Sequence, residues 1–302
     1  MKRILVTGGT GLVGKRFASK FKNVLVTTRN PDAARQKLGG DIAGAISWPD
    51  TSQTVELNSH QPIHAVVNLM GESVAQGRWT ADKKKRIYDS RITGTKNLIE
   101  SLRSLPEKPE VLVSASAVGY YGDTGDYEVN ETQPAASDFL AETCKDWEQA
   151  ASAAEEIGIR LCILRIGIVM ARKGGALAEM LPVFRKGLGG RLGSGRQYFP
   201  WIHIDDLVSL INWAIDNQSA SGVYNAVAPN PVTNREFTRQ LATTLGRPAF
   251  LPVPKFAIRL ALGEFADSLF HSQRVVPAAA LRDGFEFQFN ELDECLTNLL
   301  TE

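Results

Sequence analysis

Apolar residues near the start of the chain come in two short unbroken runs, Ile4-Leu5-Val6 and Val24-Leu25-Val26. Between them Leu12, Val13, Phe17 and Phe21 recur at helical spacing. Unbroken runs of this length suit strands buried on both faces, which occur in parallel sheets. The pattern therefore predicts a strand, a helix from about Leu12, and a second strand over 24–28. The alternation continues with strands over 65–70, 111–114 and 162–166. Helices are predicted over about 80–102, where Ile87, Ile92, Leu98 and Leu102 share a face, and over about 139–157. Strands alternating with helices specify an α/β fold, a doubly wound parallel sheet with helices on both faces.

Beyond residue 170 the texture changes. Residues 174–195 hold seven glycines and few charges, with a helical insert over 176–185, and read as the loop-rich wall of an active site. Pro229, Pro231, Pro248, Pro252 and Pro254 then punctuate the chain, so the C-terminal part is expected to be short elements turned by proline, a small cap. The division that follows is a dinucleotide-binding domain over 1–170, rejoined by about 200–227, and a substrate-binding cap from 171–199 and 228–302. Substrate is expected between the two, as in other interdomain pockets. Leu260, Leu262, Phe265, Leu269 and Phe270 are candidates to line that cleft or to pack against the sheet.

Composition narrows the partners. The chain has 302 residues, 43% of them hydrophobic and 22% charged, with a formal net charge of +1. That balance offers no electrostatic case for nucleic acid or an anionic membrane. No apolar run reaches the roughly 18 residues of a membrane span, and no charged-then-apolar leader opens the chain, so a cytoplasmic protein with a small-molecule substrate is expected. Cys144, Cys162 and Cys295 stand far apart with no C-x-x-C pair, which predicts reduced thiols, no disulfide and no metal site.

The chemistry begins where the first strand ends. Gly8-x-x-Gly11-x-x-Gly14 lies between a strand and a helix, the context in which a glycine turn cradles a pyrophosphate. Gly8, Thr10, Gly11, Leu12 and Val13 are the candidate contacts, because free N–H groups at the helix start point at the phosphates. The second strand ends in Thr27-Thr28-Arg29-Asn30, where an NAD site usually places Asp or Glu on the ribose. A guanidinium there forks onto a 2′-phosphate, whereas a carboxylate repels it. Thr28 and Arg29 therefore predict NADP as the cofactor.

At this point the chain resembles the extended short-chain dehydrogenase/reductases, in the NAD(P)-dependent epimerase/dehydratase superfamily. The resemblance rests on the opening Thr7-Gly8-Gly9-Thr10-Gly11-Leu12-Val13-Gly14 and on Asn68-Leu69-Met70-Gly71. More narrowly the chain is similar to the YfcH-like epimerase-family proteins. That match is carried by Arg78-Trp79-Thr80, Ser90-Arg91, Gly119-Tyr120-Tyr121-Gly122, residues 193–197, residues 201–206 and Gly263-Glu264. The resemblance implies a Rossmann-type sheet with a small C-terminal cap, NADP as cofactor, Leu69 and Met70 beside the adenine, and Arg91 as a further cation at the cofactor.

Hydride chemistry in the superfamily resembles a Ser/Tyr/Lys arrangement, with Tyr and Lys four apart on one helix face. Ser116 matches the serine. Four residues before Lys145, however, stands Ala141, which carries no proton. Three repairs follow: Tyr120 or Tyr121 serves as the acid, His203 or a nearby carboxylate supplies the proton, or no hydride moves. Each candidate also has a structural reading, with Tyr120 and Tyr121 as packing, Ser116 and His203 as structural groups, and Asp205 or Asp206 as a helix cap. Arg191 and Arg196 are candidate holders of an anionic substrate. Two functions remain open. One is an NADP-binding oxidoreductase or epimerase acting on a small polar substrate, which Ser116, the tyrosine pair and the cap favour. The other is a non-catalytic NADP-binding regulatory protein, for example one linked to cell division.

Overall fold

In the computed structural model, residues 2–60 and 62–301 are described. The strands in chain order are β1 (Ile4–Thr7), β2 (Val24–Thr28), β3 (Gly44–Ser47), β4 (Ala65–Asn68), β5 (Val111–Ala117), β6 (Glu128–Val129), β7 (Arg160–Ile166), β8 (Ile168–Met170), β9 (Tyr198–Phe199), β10 (Trp201–His203), β11 (Gly222–Ala226), β12 (Val232–Thr233) and β13 (Arg274–Val275). The helices are α1 (Leu12–Lys20), α2 (Pro31–Leu38), α3 (Ala81–Arg103), α4 (Phe139–Ser152), α5 (Gly175–Arg185), α6 (Ile204–Asp216), α7 (Asn234–Leu245), α8 (Lys255–Leu262), α9 (Phe265–Ser268), α10 (Ala278–Arg282) and α11 (Leu292–Thr301).

Seven strands form one sheet in the order β11-β7-β5-β4-β1-β2-β3. Every pairing in it is parallel. Side chains alternate across it and so fill two cores. Val6, Val26, Val67 and Val113 meet Phe17 of α1 and Leu207 and Ile211 of α6 on one face. Leu5, Leu25, Val66 and Leu112 meet Leu98 and Leu102 of α3 on the other. Burying each such side chain contributes roughly 1.5–3 kcal/mol, which is why these strands carry no polar alternation.

Several element ends differ from the sequence pattern. β4 stops at Asn68, two residues early, because its side chain turns inward to hydrogen-bond Thr95 and Ser114 and the chain then bends into a loop. β5 instead runs on to Ala117, held by its pairing with β7. α4 ends at Ser152, and a tight turn over Glu155–Ile157 with Gly158 in the left-handed region (φ 79°) brings the chain round to β7.

The C-terminal region divides its packing. α5, α7 and α11 build a third core around Leu177, Leu181, Phe237, Leu241, Cys295 and Leu296. Ala279, Ala280, Phe285 and Phe287 return to the α1/α6 face of the main sheet, so part of 228–302 belongs to the same core as β1. The cap of α6 also differs from expectation. His203 is the N-cap, its Nδ1 accepting from the Asp205 N–H at 3.0 Å. Asp205 instead pairs with Arg16 and Lys20 of α1, and Asp206 accepts the N–H groups of Gln288 and Phe289, stitching the last segment to the sheet.

Candidate functional site

A parallel sheet puts all its C-terminal strand ends on one edge, and the order reverses between β1 and β4, where ligands bind in such sheets. Thr7 and Gly8 stand at the end of β1. Gly8 has φ +65°, and a Cβ there would lie 2.5 Å from the Leu69 carbonyl oxygen. A Cβ on Gly14 would lie 2.6 Å from the Gly9 Cα, so only glycine lets α1 pack onto the turn. Gly11 caps α1 with no side-chain hydrogen bond. The N–H groups of Leu12 and Val13 thus face the space above the turn with no acceptor among the described residues. The loop across from it is fixed by Thr7, whose Oγ1 donates to Asn68 and accepts from the Leu69 and Met70 N–H groups. Leu69 is half-buried at this edge, whereas the Met70 side chain turns away and packs on Gly94 of α3.

Arg29 follows β2 on the same edge. It is exposed and makes no ion pair among the described residues, although its charge helps hold the Glu72 carboxyl, hydrogen-bonded first of all to Lys83, below the usual carboxylate range. Thr28 accepts the Asn30 N–H, and Asn30 caps α2, so the turn carrying Arg29 is ordered from both sides. Arg91 reaches the loop after β4 from α3. Its Nη1 donates to the carbonyls of Glu72 and Ile87, both at 3.0 Å, and its guanidinium lies 5.2 Å from the Trp147 ring. A Cβ on Gly71 would come within 2.9 Å of it. Arg91 is therefore built into the loop, and it makes no ion pair among the described residues although it feels the charge of Glu72.

Ser116 lies near the end of β5, buried, and donates to Glu148 Oε1 at 2.7 Å. Arg165 of β7 grips the same carboxylate with Nε and Nη2, both at 2.9 Å, and its Nη1 donates to the Tyr121 hydroxyl. Tyr121 in turn donates to Asn225 of β11 at 2.7 Å. Its hydroxyl is committed on both sides. Tyr120, half-buried, stacks on the Arg165 guanidinium with the ring centre 3.4 Å from its carbon, and its own hydroxyl has no partner among the described residues. The neighbours thus divide: one tyrosine is bolted into the sheet, the other keeps a free O–H beside a buried cation.

α4 shows which residues face this cluster. Lys145 is exposed, so the frame that pairs it with Ala141 does not point at Ser116. Cys144 and Glu148, one turn apart, do. The Cys144 thiol faces Ser116 and is pushed up to about 11, by burial and then by the Glu148 charge, so it stays protonated at neutral pH. Leu140, one turn earlier, packs against Gly119. The inward face therefore presents Leu, Cys and Glu. Glu148 and Arg165 were not singled out from the sequence; Arg165 breaks the apolar run of β7, whereas Glu148 is one of several charges on α4 and gave no signal of its own.

Other candidates lie elsewhere. His203 is buried, stacks on Phe289 and is pushed down to about 4 by burial, so it is neutral and structural. Arg191 lies beside α7 with its Nη1 on the Ser194 carbonyl, while Arg196 is exposed in the same glycine-rich stretch. Over the edge of the cleft, Trp79 packs on Phe139 of α4 and on Phe265. Arg78 donates to the Leu260 carbonyl and lies against Gly263, and Lys84 pairs with Glu264. Leu262, Phe265, Leu269 and Phe270 are half-buried in this covering segment, whereas Leu260 is exposed. No helix among the described residues is long and apolar enough to cross a membrane, and no group of three His, Cys, Asp or Glu could hold a metal ion.

The chain's likeness to known proteins agrees with this geometry. Residues 4–227 match the model of the NAD dependent epimerase/dehydratase family, and residues 253–299 match a domain of unknown function, DUF1731. The chain is 40% identical to an Arabidopsis thaliana protein named "Epimerase family protein SDR39U1 homolog, chloroplastic" over 304 residues, covering 98% of this chain and 86% of that one. It is 36% identical to the Mus musculus epimerase family protein SDR39U1, with 99% of each chain covered. Among solved structures, the human epimerase family protein SDR39U1 (isoform 2) with NADPH superposes with a TM-score of 0.89 at 32% identity, covering 99% of both chains.

Proposed function

The chain belongs to the NAD dependent epimerase/dehydratase family, and from that premise we propose that it binds NADP and acts as an oxidoreductase or epimerase on a small polar substrate, with Tyr120 supplying the proton. The observation that carries the cofactor choice is Arg29, an exposed cation with no ion pair among the described residues, on the strand edge beside the glycine cradle. A guanidinium there offsets the charge of a 2′-phosphate and forks onto its oxygens. The NADPH in the human SDR39U1 structure supports the same choice. The cradle fits a dinucleotide: Gly8 leaves the Leu69 carbonyl close, and the uncapped Leu12 and Val13 amides bind the pyrophosphate. When bound, the cofactor supplies or accepts the hydride.

The rest is done by this chain's residues. Tyr120 donates its hydroxyl proton to the substrate oxygen, and Arg165 against its ring stabilises the phenolate left behind. Glu148 keeps Arg165 in place and accepts the Ser116 proton, leaving the Ser116 lone pairs for a donor. Trp79 and the segment around Phe265 cover the cleft and exclude water. The alternative, a non-catalytic dinucleotide-binding regulator, is favoured by one observation, the Leu140 and Cys144 side chains on the inward face of α4.

Titration of the purified protein with NADP and with NAD tests the cofactor assignment. NADP should bind at least tenfold more tightly, a difference of about 1.4 kcal/mol. Arg29→Ala should abolish the preference while leaving NAD affinity unchanged. Equal affinities in the wild type would overturn the assignment. Absence of NADPH oxidation across a panel of small aldehydes, ketones and keto sugars would favour the regulator.

A further inference from the structure

A second cavity, of about 500 Å³, opens on the C-terminal region, and it shares no lining residue with the glycine cradle. Four arginines line it, Arg191, Arg235, Arg239 and Arg247, and no acidic residue does. Arg235 and Arg239 are one turn apart on α7, a like-charge spacing that destabilises a helix unless something offsets it. Arg191 and Arg235 close in from two elements on a single neutral acceptor, the Ser194 carbonyl, at 2.9 and 3.1 Å. Gly195 lies between their Cβ atoms, and a side chain there would touch both. None of the four makes a salt bridge among the described residues. Glu236, whose charge Arg239 feels, lies outside the lining and hydrogen-bonds the Thr233 N–H and hydroxyl in the capping box of α7.

We propose that this cavity is a binding site for a small oxyanion carrying two or more phosphoryl groups, separate from the dinucleotide cradle. Four guanidinium groups around one cavity, offset only by the Glu236 carboxylate outside its lining, repel one another until an anion enters. Each guanidinium has five donors in a planar fork that matches phosphate oxygens, and of the four only Arg191 and Arg235 spend any on the Gly193 and Ser194 carbonyls. A cavity of this volume suits a small ligand. Phe250, 75% exposed on the rim, leaves a bare ring beside the charged floor.

The test is calorimetric titration of the full chain, saturated with NADPH to fill the cradle, with inorganic pyrophosphate. Saturable binding is expected. The double variant Arg239→Ala/Arg247→Ala, both sites exposed and free of structural bonds, should weaken it at least tenfold and leave NADPH affinity unchanged, and Arg29→Ala should leave pyrophosphate binding intact. Pyrophosphate that fails to bind at millimolar concentration would overturn the proposal. So would equal binding by the double variant, or loss on Arg29→Ala. Citrate binding as tightly as pyrophosphate would overturn the phosphoryl assignment.

Discussion

Tyr120 and Tyr121 share a turn, an amino-acid type and a position after β5, yet differ in what their hydroxyls can do. Tyr121 accepts from Arg165 and donates to Asn225, and burial raises its pKa against the lowering pull of both partners, which leaves it a structural phenol. Tyr121→Phe would strand the Asn225 oxygen and one Arg165 N–H, and should cost about 1–3 kcal/mol in chemical denaturation. Tyr120→Phe removes a hydroxyl with no partner among the described residues, and stability should stay within about 0.5 kcal/mol. Turnover should instead fall by roughly 10²–10⁴, the usual worth of a general acid, when NADPH oxidation is followed on any accepted substrate. A variant pair behaving the other way round would assign the chemistry to Tyr121. The sequence placed both tyrosines beside Ser116 but could not tell them apart, because the distinction lies in Arg165 and Asn225, on strands 44 and 104 residues away.

Elements were legible where hydrophobic period alone decides, and illegible where rotation about a helix axis or choice of cap decides. α3 shows the first case: Ile87, Ile92, Leu98 and Leu102 are all buried, and the helix runs Ala81–Arg103 behind a Thr80 cap. α4 shows the second. A one-residue difference in frame turns the helix by about 100°, enough to exchange an exposed Lys145 for a buried Cys144. α6 is a third case, for Asp is a common cap, yet His203 caps because Asp205 and Asp206 are drawn to α1 and to the Gln288–Phe289 backbone. That cap makes α6 sensitive to acid. His203 sits at about 4 in the folded chain and near 6.5 when unfolded, so between these values the unfolded chain binds the extra proton. Stability is therefore intact above pH 6.5 and is lost as pH falls through 4, by up to about 3 kcal/mol from this group. Asp205, burial notwithstanding, is held at about 2 by Arg16 and Lys20, and its contribution is lost only below its ordinary value of 3.8. The melting temperature should thus decline between pH 6.5 and 4. His203→Asn, which keeps a capping oxygen, should flatten that slope; an unchanged slope would show that the histidine does not set it.

At the scale of the whole molecule, the doubly wound sheet was readable because each strand writes its burial into a local run of residues. The union of the sheet with the C-terminal region was not, because it joins four scattered apolar side chains, Ala279, Ala280, Phe285 and Phe287, with single polar ones that leave no local period. Arg165 and Glu148, 4% and 11% exposed at their side chains, are the centre of one such union. Through them β7 is tied to α4, to Ser116 of β5 and, by way of Tyr121 and Asn225, to β11 and the Val276 carbonyl. A buried pair of this kind adds little over a well-packed apolar pair, but losing one partner leaves an uncompensated charge. Glu148→Gln keeps the volume, removes the charge and strands the guanidinium, so it should cost about 3–5 kcal/mol in urea unfolding. Arg165→Met with Glu148→Leu should cost clearly less than the two single changes added together, the sign of direct coupling. The same cycle read in turnover should show no such recovery, because the double variant removes the cation beneath Tyr120 and the carboxylate that orients Ser116. Stability restored without activity would mark the pair as the link between fold and chemistry, and strict additivity in both readouts would dissolve that link.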